Sequence, residues 1–297
     1  MTLNSPLASP RATIDTLAKW GITTRKSLGQ HFLIDDGVVG RILRLASLCP
    51  DDFVLEVGPG IGTLTEALLL KGARVHALEK DERLLPLLED IQNRYPQSFS
   101  FAHVDALDYV ASLPNEAAAA FSGPLKLIAN LPYAVAASIV LDYFQCVTGV
   151  QSATIMVQKE VADRMAAEPR TKDYGAYSVK LQLIAEPKGS FHVSPSCFLP
   201  PPRVDSTVIR LDRRDDQIAQ DEIPSVFMVI EAAFAERRKT IRNSMRSYFT
   251  QQNLDPQLVD ELLESSGIAF TTRGETLLPG DFLTLGRRYY RARPSFG

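Results

Sequence analysis

Between Phe53 and Gln158 short apolar runs alternate with stretches of helical composition, and this alternation most narrows what the chain can fold into. Each apolar run suits one buried strand, and each stretch between them is long enough for a crossover, so a doubly wound parallel sheet is expected. The first unit is the most telling. Phe53-Val54-Leu55-Glu56-Val57 runs into Gly58-Pro59-Gly60-Ile61-Gly62, and Thr63 to Lys71 has the composition of a helix. Glycines in such a turn permit positive φ and let a ligand approach the backbone. A dinucleotide fingerprint fits poorly, because its third glycine should stand where Thr63 is. Pro59 also removes a backbone N–H that a pyrophosphate would need.

Acids at the strand ends point to a different ligand. Val75 to Leu78 reads as a second strand followed by Glu79, about twenty residues after the turn, where a carboxylate can accept ribose hydroxyls. Phe99 to Val104 reads as a third, followed by Asp105, placed to accept from an adenine amine. Any one of these acids alone reads as a solvated strand end. With Glu56 they suit a cation-bearing adenosine better than a polyphosphate. S-adenosylmethionine has that character: a sulfonium, an ammonium, a ribose and an adenine, with no phosphate.

A fourth apolar run, Leu125 to Ala129, ends at Asn130-Leu131-Pro132-Tyr133. Ligands of open α/β sheets bind outside the carboxyl ends of the strands, which is where this tetrapeptide falls. An Asn oxygen that accepts a proton, a stiffening Pro and an aromatic ring form a clamp for a flat, amine-bearing ring. By itself the tetrapeptide reads equally well as a strand-ending turn with a core Tyr.

Beyond Gln158, Asp205 to Leu211 alternates β-branched and polar residues as a late strand, and Arg213 to Asp221 is polar enough for a linker. Helical patterns follow at Ser225 to Ala235, Arg237 to Thr250, Pro256 to Glu264 and Asp281 to Tyr290. The expected organisation is an N-terminal tail (1–24), an α/β cofactor-binding and catalytic domain (25–212), a linker (213–221) and a small helical domain (222–297). Ala117 to Ala120 reads as a surface connection.

A chain of 297 residues with 45% hydrophobic and 23% charged residues has the composition of one or two globular domains. Cys49, Cys146 and Cys197 are far apart, and the four histidines show no ligand spacing, so neither disulfides nor a metal are expected. No apolar run is long enough to span a membrane, and Met1 to Trp20 lacks the apolar core of a secretory signal. A reducing cytoplasm is the expected compartment. The net charge of −3 is unusual for an RNA binder. Positive charge is nevertheless concentrated at Arg237, Arg238, Lys239, Arg242 and Arg246, and again at Arg287, Arg288, Arg291 and Arg293. Arg238, Arg242 and Arg246 would form one helical stripe, with Phe234, Ile241, Met245 and Phe249 on an apolar face. Phosphate contact is the expected role of the first cluster.

Six segments together resemble the ribosomal RNA adenine N6-dimethyltransferase family, in particular its bacterial small-subunit (KsgA) type. They are Lys26 to Leu33 (KSLGQHFL), Glu56 to Gly60 (EVGPG), Asn130 to Tyr133 (NLPY), Val157 to Val161 (VQKEV), Phe198 to Ser206 (FLPPPRVDS) and Arg237 to Ser244 (RRKTIRNS). The glycine turn alone says only methyltransferase; the proline-rich and basic segments in this order are far more specific. The resemblance implies a Rossmann-like S-adenosylmethionine-dependent methyltransferase domain with a small C-terminal α-helical domain. It also implies dimethylation of two adjacent adenosines near the 3′ end of small-subunit (16S) rRNA, within a pre-30S-like particle, by a monomer that does not touch membranes. On that reading the cofactor is held by His31, Leu33, Glu56, Gly58, Gly60, Glu79, Asp105 and Asn130. The Asn130 oxygen and the Leu131 carbonyl accept from the target amine, Pro132 fixes the turn, Tyr133 stacks on the base and Phe198 is a second stacking ring. Many family members have Asn at the position of His31. The alternatives are a 23S rRNA methyltransferase of the macrolide-resistance type, a DNA adenine methyltransferase, or an assembly or transcription factor that keeps the fold without turnover.

Overall fold

The computed structural model describes residues 3–24, 30–112, 125–214 and 218–292. The chain divides into two units, Met1–Ala162 with Pro187–Arg213, and Asp163–Glu186 with Arg214–Gly297.

The first unit begins with α1 (Pro10–Lys19), β1 (Phe32–Leu33) and α2 (Asp36–Leu45). The N-terminal tail is docked onto the unit. The Asp36 carboxylate accepts from the main-chain N–H groups of Asn4 and Ser5 and from the Asn4 side chain, at 2.9–3.1 Å. Ala8, Thr13 and Ile22 are buried. A segment with no periodic apolar run hides such docking, because its anchor lies on another helix.

Alternation follows as expected: β2 (Phe53–Val57), α3 (Thr63–Leu70), β3 (Arg74–Glu79), α4 (Leu85–Arg94), β4 (Phe99–His103), α5 (Ala106–Ser112), β5 (Leu125–Asn130), α6 (Ala136–Cys146), β6 (Val150–Gln158) and α7 (Lys159–Met165). Later come α8 (Ala176–Ile184), β7 (Ala185–Val193), β8 (Phe198–Leu199) and β9 (Ser206–Arg213). The main sheet has seven strands in the order β4-β3-β2-β5-β6-β9-β7. The pairs from β4 to β6 are parallel, and β9 runs antiparallel to β6 with Gln158 opposite Ser206. Val54 to Val57 are all buried, as a central parallel strand covered on both faces requires. The strand order reverses between β2 and β5, and that switch point is where such sheets open a ligand crevice. Gly58 and Asn130 stand there.

The turn after β2 needs its glycines. Gly60 lies at φ +59 and a Cβ on it would meet the Phe32 ring at 3.1 Å; at Gly62, φ +85, a Cβ would come within 2.6 Å of Ile91.

The second unit is helical and contains α9 (Ile223–Phe234), α10 (Ile241–Gln251), α11 (Leu258–Ser265) and α12 (Pro279–Ala292). It also takes in Asp163–Glu186, which the sequence reading assigned to the sheet domain. The reason is packing: the Tyr174 ring is fully buried edge-on to Phe234 at 6.1 Å, and its hydroxyl donates to the Leu277 carbonyl at 2.9 Å. Composition shows where strands stop, not which core an earlier helix joins. The start of the basic helix also moves, because Thr240 caps α10 and leaves Arg237, Arg238 and Lys239 in the preceding turn. Arg213 belongs to β9 rather than to a linker, its guanidinium donating to the carbonyls of Val150, Phe144 and Val147. Lys26 to Gly29, the Ala117 to Ala120 run and Arg293 lie outside the described residues.

Candidate active site

A cavity of about 540 Å³ opens at the carboxyl ends of β2, β3 and β5. Its lining includes His31, Leu33, Glu56, Gly58, Gly60, Glu79, Asp105, Asn130, Leu131, Pro132 and Tyr133. Eleven of the twelve positions singled out for catalysis or cofactor therefore meet around one space. Phe198 is the exception. It is 2% exposed, pairs with Leu33 across the β1–β8 ribbon, and is absent from the lining. Here the ring helps bury the short ribbon next to position 31.

The acids differ in state. Glu56 is buried at the end of β2, and desolvation pushes its carboxyl up to about 8. The Thr65 hydroxyl, which donates to it at 2.6 Å, works against that rise, and the nearby Glu79 adds to it. Burial raises Glu79 too, opposed by three backbone N–H groups: Lys80 and Asp81 on Oε1 at 2.9 and 2.8 Å, and Gly60 on Oε2 at 3.4 Å. Asp105 is the most acidic in tendency, lowered chiefly by the Lys80 ammonium at 2.5 Å and by the Leu107 N–H at 2.9 Å. Among the described residues, Lys80 is the one Lys or Arg in the lining, and it is paired with Asp105. The Thr63 hydroxyl, on the first residue of α3, is buried with no hydrogen-bond partner among the described residues, and Thr63 lines the cavity.

At the other end, Asn130 Nδ2 donates to the main-chain carbonyl of His31 at 3.1 Å. A carbonyl only accepts, so this contact fixes the amide with Oδ1 free to accept from a ligand. The Tyr133 hydroxyl shares a 2.6 Å hydrogen bond with Ser206 Oγ. The His31 ring stacks on Tyr133 with centroids 5.9 Å apart and planes 23° apart, and its Nδ1 donates to the Pro200 carbonyl at 2.8 Å.

Gln30, Asp81, Lys80 and Ser206 were missed as individual positions. Asp81, itself buried, accepts from Gln30 at 2.7 Å and from Arg83, while Arg83 Nη1 donates to the Thr23 carbonyl at 3.0 Å. No spacing rule links residues 51 or 60 positions apart.

The basic cluster lies in the helical unit and is largely neutralised. Arg242 and Arg246 share Asp260, Arg237 pairs with Glu275, and Lys239 pairs with Glu236. Arg238 is exposed and has no ion pair among the described residues. The three-arginine stripe is corrected to two, since Arg238 precedes the helix; Ile241, Met245 and Phe249 do form its buried face. Among the described residues no group of three His, Cys, Asp or Glu could hold a metal ion, and no helix is long and apolar enough to cross a membrane.

A family model described as ribosomal RNA adenine dimethylase matches residues 21–283. The chain is 40% identical over 294 residues to the ribosomal RNA small subunit methyltransferase A of Shouchella clausii, covering 98% of each chain. Among solved structures, a dimethyladenosine transferase from Plasmodium falciparum shares the fold, with TM-score 0.72, 22% identity, and coverage of 88% of this chain and 98% of that one. The 23S rRNA methyltransferase ErmE gives TM-score 0.61 and 26% identity over 87% of this chain and 99% of its own. With a match spanning most of its length and the cavity built as described, the chain belongs to the ribosomal RNA adenine dimethylase family.

Proposed function

We propose that this S-adenosylmethionine-dependent methyltransferase dimethylates N6 of two adjacent adenosines near the 3′ end of small-subunit rRNA. It acts as a cytoplasmic monomer on an assembling small-subunit particle. The observation that carries this reading is the fixed amide of Asn130, an acceptor held at the mouth of an acid-lined cavity.

The cavity suits the cofactor. Glu79 would accept the ribose hydroxyls, Asp105 would accept from the adenine amine, and buried Glu56 would face the cationic end, the Thr63 hydroxyl also lining the cavity. Gly58 and Gly60 let the ligand lie against the backbone, while His31 and Leu33 close over it. When bound, the sulfonium supplies an activated methyl group. Adenine N6 is a poor nucleophile because its lone pair is delocalised into the ring. The Asn130 oxygen and the Leu131 carbonyl would accept hydrogen bonds from its two N–H groups and favour a tetrahedral nitrogen with the lone pair aimed at the methyl; as the N–CH3 bond forms and the S–CH3 bond breaks, the nitrogen becomes cationic and loses one proton to water. Pro132 stiffens the turn and Tyr133, anchored by Ser206, stacks on the base. Positioning and electrostatic stabilisation carry such a transfer. The base must leave its stack to enter.

The likeness to ErmE keeps a large-subunit target as the second reading. Unmodified small and large subunits incubated with enzyme and labelled cofactor, followed by mass mapping, separate the two. N6,N6-dimethyladenosine at two neighbouring small-subunit positions is expected; label confined to 23S rRNA would overturn the assignment.

A further inference from the structure

Two of the family segments, Val157 to Val161 and the proline-rich stretch, touch the chemistry above only through Gln158, Pro200 and Ser206, yet the rest of them meet. Lys159 N–H donates to the Asp205 carbonyl at 3.0 Å, next to the Ser206 that holds Tyr133. Between them lies a recess of about 500 Å³ lined by Gln158, Lys159, Glu160, Arg203, Val204 and Asp205, with Pro195 at its edge. Gln158 lines this recess and the catalytic cavity alike. The recess is therefore the next space along from the ring of Tyr133.

We propose that this recess is a subsite for the nucleotide that adjoins the target adenosine on the same RNA strand; the proposal rests on the RNA-methylation reading above. A base seated on Tyr133 must leave its sugar and phosphates at the cavity mouth, and the bonded neighbour then has to lie against whatever surface adjoins that mouth. The surface found there has one nucleotide's worth of chemistry. Arg203 is exposed, has no ion pair among the described residues, and can take a phosphate. Val204 is a large apolar side chain left 46% exposed, a face for a base or sugar. Glu160 and Asp205, the latter 3.3 Å from His192 Nε2, make a pure phosphate site unfavourable but can accept from a ribose hydroxyl or a base amine. Its volume lies within the range of ligand-sized pockets.

Small subunits are assembled with either normal rRNA or rRNA lacking the base next to the target, and initial methylation rates are measured over a salt series. Arg203→Gln is expected to raise KM several-fold and to flatten its log–log salt dependence by about 0.7 units, the value for one phosphate on a single strand. Val204→Ser is expected to raise KM on normal subunits and to have no further effect on the base-deleted ones, because its partner is already gone. Cofactor affinity should not move in either variant. Unchanged KM and slope in Arg203→Gln, or a Val204→Ser defect that adds fully to base deletion, would overturn the subsite. Failure of the unaltered enzyme to label normal subunits would instead sink the reading on which the subsite rests.

Discussion

Asn130 and His31, 99 residues apart in sequence, are joined by a 3.1 Å hydrogen bond from the Asn130 amide to the His31 carbonyl. The donor half of the amide is thereby occupied, and the acceptor half is left for a substrate amine. Because the partner is main chain, the orientation does not depend on which side chain stands at 31.

Asn130→Ala should therefore cut kcat by about 10²–10³-fold, the usual loss for one pre-oriented transition-state group, with a much smaller loss of calorimetric cofactor affinity. Near-normal turnover on small subunits would remove the tetrapeptide from the chemistry.

The side chain of His31 has a separate expected role. His31→Asn can keep a donor toward the Pro200 carbonyl but loses the ring on Tyr133; His31→Phe does the reverse. If the stack seats Tyr133 for the base, only the Asn variant should weaken RNA binding, by about 0.5–1.5 kcal/mol. Equal effects of the two, measured as KM for small subunits, would show that the ring pair does not matter.

Glu56 makes ligand binding and stability pH-dependent. Its carboxyl holds a proton up to about 8 in the folded protein and ionises near 4.5 when unfolded. Between those values the folded state binds the extra proton, so this group's contribution to stability falls as pH rises. A cationic ligand beside Glu56 favours the carboxylate and should release up to about one proton at pH 7. Calorimetry in buffers of different ionisation enthalpy reads that release, which Glu56→Gln should abolish. Proton-neutral binding by the unaltered protein would put the ligand's cation elsewhere.

Arg238 and Arg242 should separate RNA contact from helix support. Arg242 shares Asp260 with Arg246, whereas Arg238 is exposed and unpaired among the described residues. Arg238→Gln is expected to flatten the salt dependence of small-subunit binding by about 0.7–0.9 units. Arg242→Gln should lower the thermal midpoint more than the slope. Filter binding over a salt series with parallel melting curves checks this, and the reverse ranking would show Arg242 to be the phosphate ligand.

Deleting residues 1–22 should lower Tm by more than about 4 °C, since the deleted segment buries Ala8, Thr13 and Ile22 and satisfies Asp36. An unchanged melting curve would return the segment to a dispensable tail.

Alternation, the Gly58–Gly62 turn, the strand-end acids and Asn130 to Tyr133 were legible because each is local: periodicity sets strand or helix, and a strand's end sets which residues face the crevice. What the sequence could not determine depends on contacts distant along the chain. Only the fold shows that His31 orients Asn130, that Phe198 is buried in the ribbon it forms with β1, and that the Asp163–Glu186 segment joins the helical core. The same holds for the basic cluster, where residues of one sign look free until Asp260 and Glu275 fold against them. Local backbone preference determines the elements by itself, but pairing, burial and charge neutralisation depend on partners that only tertiary packing brings within reach.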